Sequence, residues 1–208
     1  MTKIAMVAGA AVRALPKTYD SYIGVDRGCL YLIKQGLPLD LAVGDFDSVS
    51  ASELALIRDH SRAVVQAKPE KDDTDLELAL KAVFAQNPQA SVHVYGALGG
   101  RLDHEMSSIF LPSHPDLTAH MQQISLLNVQ NQLSYFPAGE HRVEPFPGMT
   151  YLSFMVEGSG RLRISGAKYE LTDSNYFQRK IYSSNEFLDQ PVIFSLDQGY
   201  VIVIQSKD

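Results

Sequence analysis

Leu41-Ala42-Val43-Gly44-Asp45-Phe46-Asp47-Ser48 is a short apolar run that breaks into a glycine and two carboxylates. Ser50-Ala51-Ser52-Glu53 follows as a capping box, and Leu54, Leu56 and Ile57 supply the apolar side of a helix. The stretch reads as strand, acidic turn, helix, and the same order extends both ways. Upstream, residues 4–8 and 22–25 are strand-like, and 28–35 carries Leu30, Leu32 and Ile33 at helical spacing before Gly36 and Pro38. Downstream, 63–66 is a strand. Asp72–Asp75 then precedes a helix bearing Leu76, Leu78, Leu80, Val83 and Phe84, which stops at Asn87-Pro88. Strands at 91–95 and 124–127 complete this half. The alternation implies an α/β domain whose mostly parallel sheet is covered on both faces.

From about Gln132 no helical pattern persists. Short β-rich runs at 151–156, 161–165, 168–171, 192–195 and 200–204 are punctuated by Gly158, Gly160, Gly166 and Gly199. This spacing predicts an all-β antiparallel sandwich or roll. The expected division is an α/β domain over 1–131 and a β-sandwich over 132–208, with no linker or repeat.

The chain has 208 residues and a formal net charge of −6. Ten acids and four bases between Asp40 and Glu77 account for all of it. An acidic chain of this kind does not bind nucleic acid by general attraction to phosphate. One cysteine, Cys29, excludes an intrachain disulfide framework. The N-terminus is too short in apolar residues for a signal peptide, and no run approaches a membrane span. A cytoplasmic protein is expected.

Three motifs fall just after predicted strands, where ligands bind in open parallel sheets. In Val43–Ser48, Asp45 and Asp47 can converge on one hard cation, and Gly44 permits close backbone approach. In Lys71-Asp72-Asp73-Thr74-Asp75, capping and the helix dipole explain one or two acids but not three in four positions. Two carboxylates 4 Å apart repel by about 4 kcal/mol at an effective dielectric near 20, and a divalent cation relieves this. In Gly96-Ala97-Leu98-Gly99-Gly100-Arg101-Leu102-Asp103-His104, glycine N–H groups can face phosphate oxygens and Arg101 can bind them bidentately. Asp103 can cap the next helix, orient Arg101 or bind metal. The three together imply a site for Mg²⁺ and a polyphosphate, and transfer of a phosphoryl-type group.

At these residues the chain resembles the thiamine pyrophosphokinase (thiamine diphosphokinase) family. Val25-Asp26-x-Gly28, Pro38, residues 43–48, Lys71–Asp75 and Gly99–His104 occur in the family's order, and Ser184-Asn185-Glu186-Phe187 and the strand at 199–206 extend the match, while Arg27 stands where many members have glycine. The resemblance implies a catalytic α/β domain and a thiamine-binding sandwich. It also implies a homodimer with active sites between subunits, and transfer of the β,γ-pyrophosphate of ATP to the hydroxyethyl group of thiamine, releasing AMP. It makes Asp45, Asp47, Asp72 and Asp75 metal ligands or orienters of the nucleophile, with Arg101 neutralising the transferred group. Asp26, Gly28, Lys71, Thr74, Gly99, Gly100, Arg101, Asp103 and His104 would line the nucleotide site, and Ser184 and Asn185 would contact thiamine. Some members stack thiamine on a tryptophan. This chain has none, which leaves Phe187, Tyr182 or another aromatic for that surface.

Two other functions fit part of the pattern. A magnesium-dependent phosphatase would phosphorylate the first Asp of Asp45-Phe46-Asp47 but leaves the glycine-arginine loop without a role. A thiamine or nucleotide sensor would not need so many carboxylates. Six scattered histidines make no zinc motif, and Cys29 lies on an apolar helical pattern that places it in the core.

Overall fold

A computed structural model describes residues 1–10, 12–68, 70, 72–178 and 180–208. Among these the chain divides into two compact units, Met1–Asn128 and Val129–Asp208.

The first unit begins with β1 (Lys3–Val7) and β2 (Ser21–Val25). Then come α1 (Gly28–Lys34), β3 (Leu41–Gly44), α2 (Ala51–His60), β4 (Val64–Gln66), α3 (Asp75–Gln86) and β5 (Ser91–Tyr95). After α4 (Leu102–Ile109) and α5 (Pro115–Thr118), β6 (Ile124–Leu127) closes the unit. The strand order is β6-β5-β1-β2-β3-β4, and every neighbouring pair is parallel. Successive residues of β1, β2 and β3 are buried, as expected where helices cover both faces of a sheet. Cys29, Leu32 and Ile57 of α1 and α2 pack on Ala5, Val7, Tyr22 and Ala42 of the strands.

The predicted capping box closes, and a second one forms at the start of α3. Ser50 and Glu53 cap α2 reciprocally, and Thr74 and Glu77 do the same for α3. Among its described residues the β1–β2 crossover contains no α-helix. Its end is fastened instead by the Tyr19 hydroxyl, 2.8 Å from His93 Nδ1 and 2.6 Å from the Tyr95 hydroxyl. Tyr22 adds a hydrogen bond to the Pro16 carbonyl at 2.8 Å.

The second unit contains β7 (Asn131–Val143), β8 (Tyr151–Glu157), β9 (Leu162–Ser165), β10 (Ile181–Asn185) and β11 (Val192–Ser206). Among the described residues the pairings within it are antiparallel: β11 pairs with β7 along its length, with β9 through its first part and with β8 through its last. β10 pairs with β8. A register shift between Leu196 and Tyr200 lets β11 bend between these partners. Phe154, Leu162, Phe194 and Val201 lie in the core.

The sandwich departs from the sequence expectation in three places. The runs at 192–195 and 200–204 are one strand, β11. Residues 168–171 form no strand, only an isolated bridge from Leu171 to Ile164. β7 and β10 are additional. Pro137 of β7 sits opposite Tyr200 at the register shift, where a missing ladder donor is tolerated.

Candidate active site

β1 lies between β2 and β5, so the chain leaves it on one side and returns on the other. Ligands of open α/β sheets bind at the carboxyl ends of the strands beside such a switch point. A cleft of about 610 Å³ opens there, bounded by residues 8–10 after β1, Asp26 after β2, Asp47 and Ser48 after β3, and Gly96–Ala97 after β5.

Asp26 and Asp75 line this cleft, and Asp45 joins them in a group whose carboxylate oxygens lie within 4.8 Å of one another. Val25 and Val43 are register partners on adjacent parallel strands, so Asp26 and Asp45 follow neighbouring strand ends. Asp75 is the first residue of α3. Asp26 and Phe46 adopt left-handed φ values of 47° and 59°, uncommon for residues other than glycine and frequent at functional sites. The Phe46 N–H donates to Asp26 Oδ1 at 3.3 Å.

Gly44 is required by the same carboxylate. A Cβ at this position would lie 2.0 Å from Asp26 Oδ1. The close approach expected of Gly44 is thus to Asp26.

Burial, followed by the negative charge of Asp75, pushes Asp26 up to about 7. A hydrogen bond shared with Asp75 and the charge of Asp45 act in the same direction, while the Phe46 N–H opposes them. Three hard oxygen donors, crowded enough for one to retain its proton, fit a divalent cation such as Mg²⁺.

The structure brings together some of the metal residues expected from the sequence and not others. Asp26, assigned to the nucleotide site, joins Asp45 and Asp75, whereas Asp47 and Asp72 are not members of the group. The left-handed turn at Phe46 brings the Asp47 N–H to Asp45 Oδ1 at 3.2 Å, and Asp47 lies exposed on the cleft wall. Asp72 is exposed. The adjacent strand-end positions of Asp26 and Asp45 were the available signal for the substitution.

The glycine-arginine loop forms the opposite wall. Gly99 and Gly100 have φ values of 91° and 108°, which favour glycine, and a Cβ on either would face open space. Arg101 precedes α4 without a side-chain cap. Its Nε and Nη2 donate to Asp103 at 3.2 and 2.6 Å, raising the arginine and lowering the carboxyl in pKa through this hydrogen-bonded pair. Asp103 Oδ1 also accepts the His104 N–H at 3.1 Å, so its contacts serve both Arg101 and the first turn of α4. His104 and Thr74 line the cleft, with Thr74 also capping α3. Arg27 lines it too and donates to the Ser48 carbonyl at 2.8 Å.

Gly28 has a packing role, since a Cβ there would lie 1.8 Å from the Val7 carbonyl oxygen. Lys71 lies outside the described residues. In the sandwich, Ser184 is exposed with φ 59°, and its N–H donates to Ser153 Oγ at 3.2 Å. Asn185 is buried, and its amide pairs with the backbone N–H and carbonyl of Tyr169 at 2.9 and 2.8 Å. Phe187 and Tyr182 pack against the core, while Tyr169 and Phe177 are exposed aromatics of this unit.

An open parallel sheet with a carboxylate floor facing a glycine-arginine loop defines an α/β protein of the phosphate-handling class. Residues 12–125 match the thiamin pyrophosphokinase catalytic domain family, and 140–201 match the thiamin pyrophosphokinase vitamin B1 binding domain family. A Bacillus subtilis (strain 168) thiamine pyrophosphokinase is 31% identical over 217 residues, with complete coverage of both chains. The crystal structure of a thiamin pyrophosphokinase family protein from Enterococcus faecalis is similar at TM-score 0.94 and 39% identity, again with full coverage of both chains. The Bacillus subtilis thiamine pyrophosphokinase crystal structure gives a TM-score of 0.78 at 30% identity, with 100% of each chain covered. The chain belongs to the thiamine pyrophosphokinase family.

Proposed function

We propose that this chain carries out its family's reaction, moving the β,γ-pyrophosphate of ATP onto the hydroxyethyl oxygen of thiamine and releasing AMP. The observation that carries the reading is the group of Asp26, Asp45 and Asp75, two of which, Asp26 and Asp75, line one cleft with the glycine-arginine loop. The α/β domain, 1–131, handles ATP, and the sandwich, 132–208, takes thiamine. The active form is a homodimer with sites between subunits.

Asp26, Asp45 and Asp75 hold Mg²⁺, which supplies charge neutralisation for the transferred phosphates. Gly99, Gly100 and the uncapped start of α4 offer N–H groups to phosphate oxygens. Arg101 exchanges Asp103 for the transferred group, and Arg27 adds a second guanidinium at the rim. Asp47, outside the carboxylate group, accepts the thiamine hydroxyl proton. Ser184 contacts thiamine, and Asn185 acts by holding Tyr169, whose ring is 60% exposed and replaces the absent tryptophan surface.

Incubation with ATP, Mg²⁺ and thiamine should yield AMP and thiamine diphosphate in equal amounts. Phosphate release from monoesters would support the phosphatase instead, and thiamine binding without AMP would support the sensor.

A further inference from the structure

Asp73 sits in the middle of the acid-rich turn, yet it is not among the gathered carboxylates. Its oxygens are held from two sides. Lys81 Nζ, on α3, donates to Oδ2 at 2.9 Å. His114 Nε2, at the start of α5, lies 2.9 Å from Oδ1. The other histidine nitrogen fixes the tautomer: Nδ1 accepts the Asp116 N–H at 3.1 Å, so Nε2 carries the proton and donates it. Lys81 also reaches Asp116 at 2.8 Å. Only about a fifth of the Asp73 and His114 side chains is exposed, at 21% and 20%, and Lys81 is 31% exposed. Its hydrogen bonds with Lys81 and then His114 hold the Asp73 carboxyl below the usual carboxylate range.

Only Thr74 separates Asp73 from Asp75. Once the proton shared by Asp26 and Asp75 is lost their charges repel, and restraints on the turn then hold Asp75 in place. The Thr74–Glu77 capping box supplies one restraint. The paired grip on Asp73 supplies another, tying the turn to α3 and α5.

We infer that Asp73, Lys81 and His114 are positioning residues that place Asp75 for cation binding. The inference rests on the Mg²⁺ reading given above. It accounts for the crowding of acids at 72–75: Asp75 faces the cation and Asp73 anchors the turn.

Mg²⁺ alone, titrated calorimetrically into the wild type, Lys81→Met and His114→Phe, tests it. Removing an outer partner of a metal ligand commonly weakens binding 10- to 100-fold, so a loss of about tenfold is expected in each variant. Excess Mg²⁺ should restore turnover, the KM for thiamine should stay unchanged, and His114→Gln, which keeps a donor near the Nε2 position, should recover much of the affinity. Should either variant fail to fold, Lys81→Gln and Asp116→Asn apply the same test. Wild-type Mg²⁺ affinity in folded variants would overturn the inference while leaving the metal reading intact. Absence of Mg²⁺ binding by the wild type would overturn both.

Discussion

Asp73 and Asp75 differ by two positions and sit in opposite electrostatic settings. Asp73 meets Lys81 and a histidine N–H, and its proton affinity falls. Asp75 meets Asp26 and Asp45, and the proton affinity of Asp26 rises. In the first group the protein supplies the cation, so the group is complete as folded. In the second, three carboxylates crowd one another, and a proton or an external cation relieves the crowding. The partner of each carboxylate, more than the density of acids, separates scaffold from site.

The sharpest way to break this comparison is to remove one anion from the second group. Asp45→Asn or Asp75→Asn should lower turnover by roughly a thousandfold, the scale for losing a preorganised electrostatic partner. The metal-free melting temperature should hold or rise as repulsion is relieved. Product analysis and thermal melts in chelator check both, and wild-type turnover would end the assignment.

Gly44→Ala acts on the same group through volume. Its Cβ would displace the Asp26 carboxylate. Mg²⁺ affinity should fall by tens of fold, as when a ligand is misdirected, and stability by about 1–3 kcal/mol from overpacking. Calorimetry and denaturant melts measure the two effects separately.

A smaller effect concerns pH. Asp26 is raised from 3.8 to about 7 in the folded chain. Between these values the folded state retains a proton that the unfolded state has lost. The group's contribution to stability therefore falls as pH rises from about 4 to about 7 and is constant above. In chelator, the melting-temperature advantage of Asp26→Asn over wild type should widen across that interval. Added Mg²⁺, competing with the proton, should stabilise wild type increasingly over the same range. A gap that stays flat from about pH 5 to about pH 8 contradicts the assigned setting of Asp26.

The smallest effect is a control away from both groups. Ser50→Ala removes the cap of α2 and should cost about 1 kcal/mol. Turnover under folded conditions should be unchanged, as denaturant melts and product assays on the same sample will show.

Much of the α/β unit is legible in its sequence because its signals are local. Buried parallel strands are short apolar runs, and the boxes at Ser50 and Thr74 mark helix starts without tertiary help. The sandwich is less legible. β7 contains Pro137 and Gly139, and its extended form is matched residue by residue to β11. β10 is polar and largely exposed, so pairing with β8 defines it better than composition does. In the site, spacing identifies Asp45 and Asp75, but side-chain direction decides membership of the group. The turn at Phe46 separates Asp47 from it, while Asp26 enters from the neighbouring strand. His114 meets Asp73 across 41 positions of sequence, beyond the reach of any local pattern.

β11 imposes an order of assembly. It pairs with β7, β8 and β9 and follows all three in the chain. During synthesis from the N-terminus, those strands emerge before the strand that joins them, with apolar residues such as Phe154 and Leu162 still waiting for cover. Residues 1–128 have their own sheet partners and can condense earlier. A nascent chain stalled before Val192 would thus hold a finished phosphate-handling unit followed by aggregation-prone strands that still lack β11.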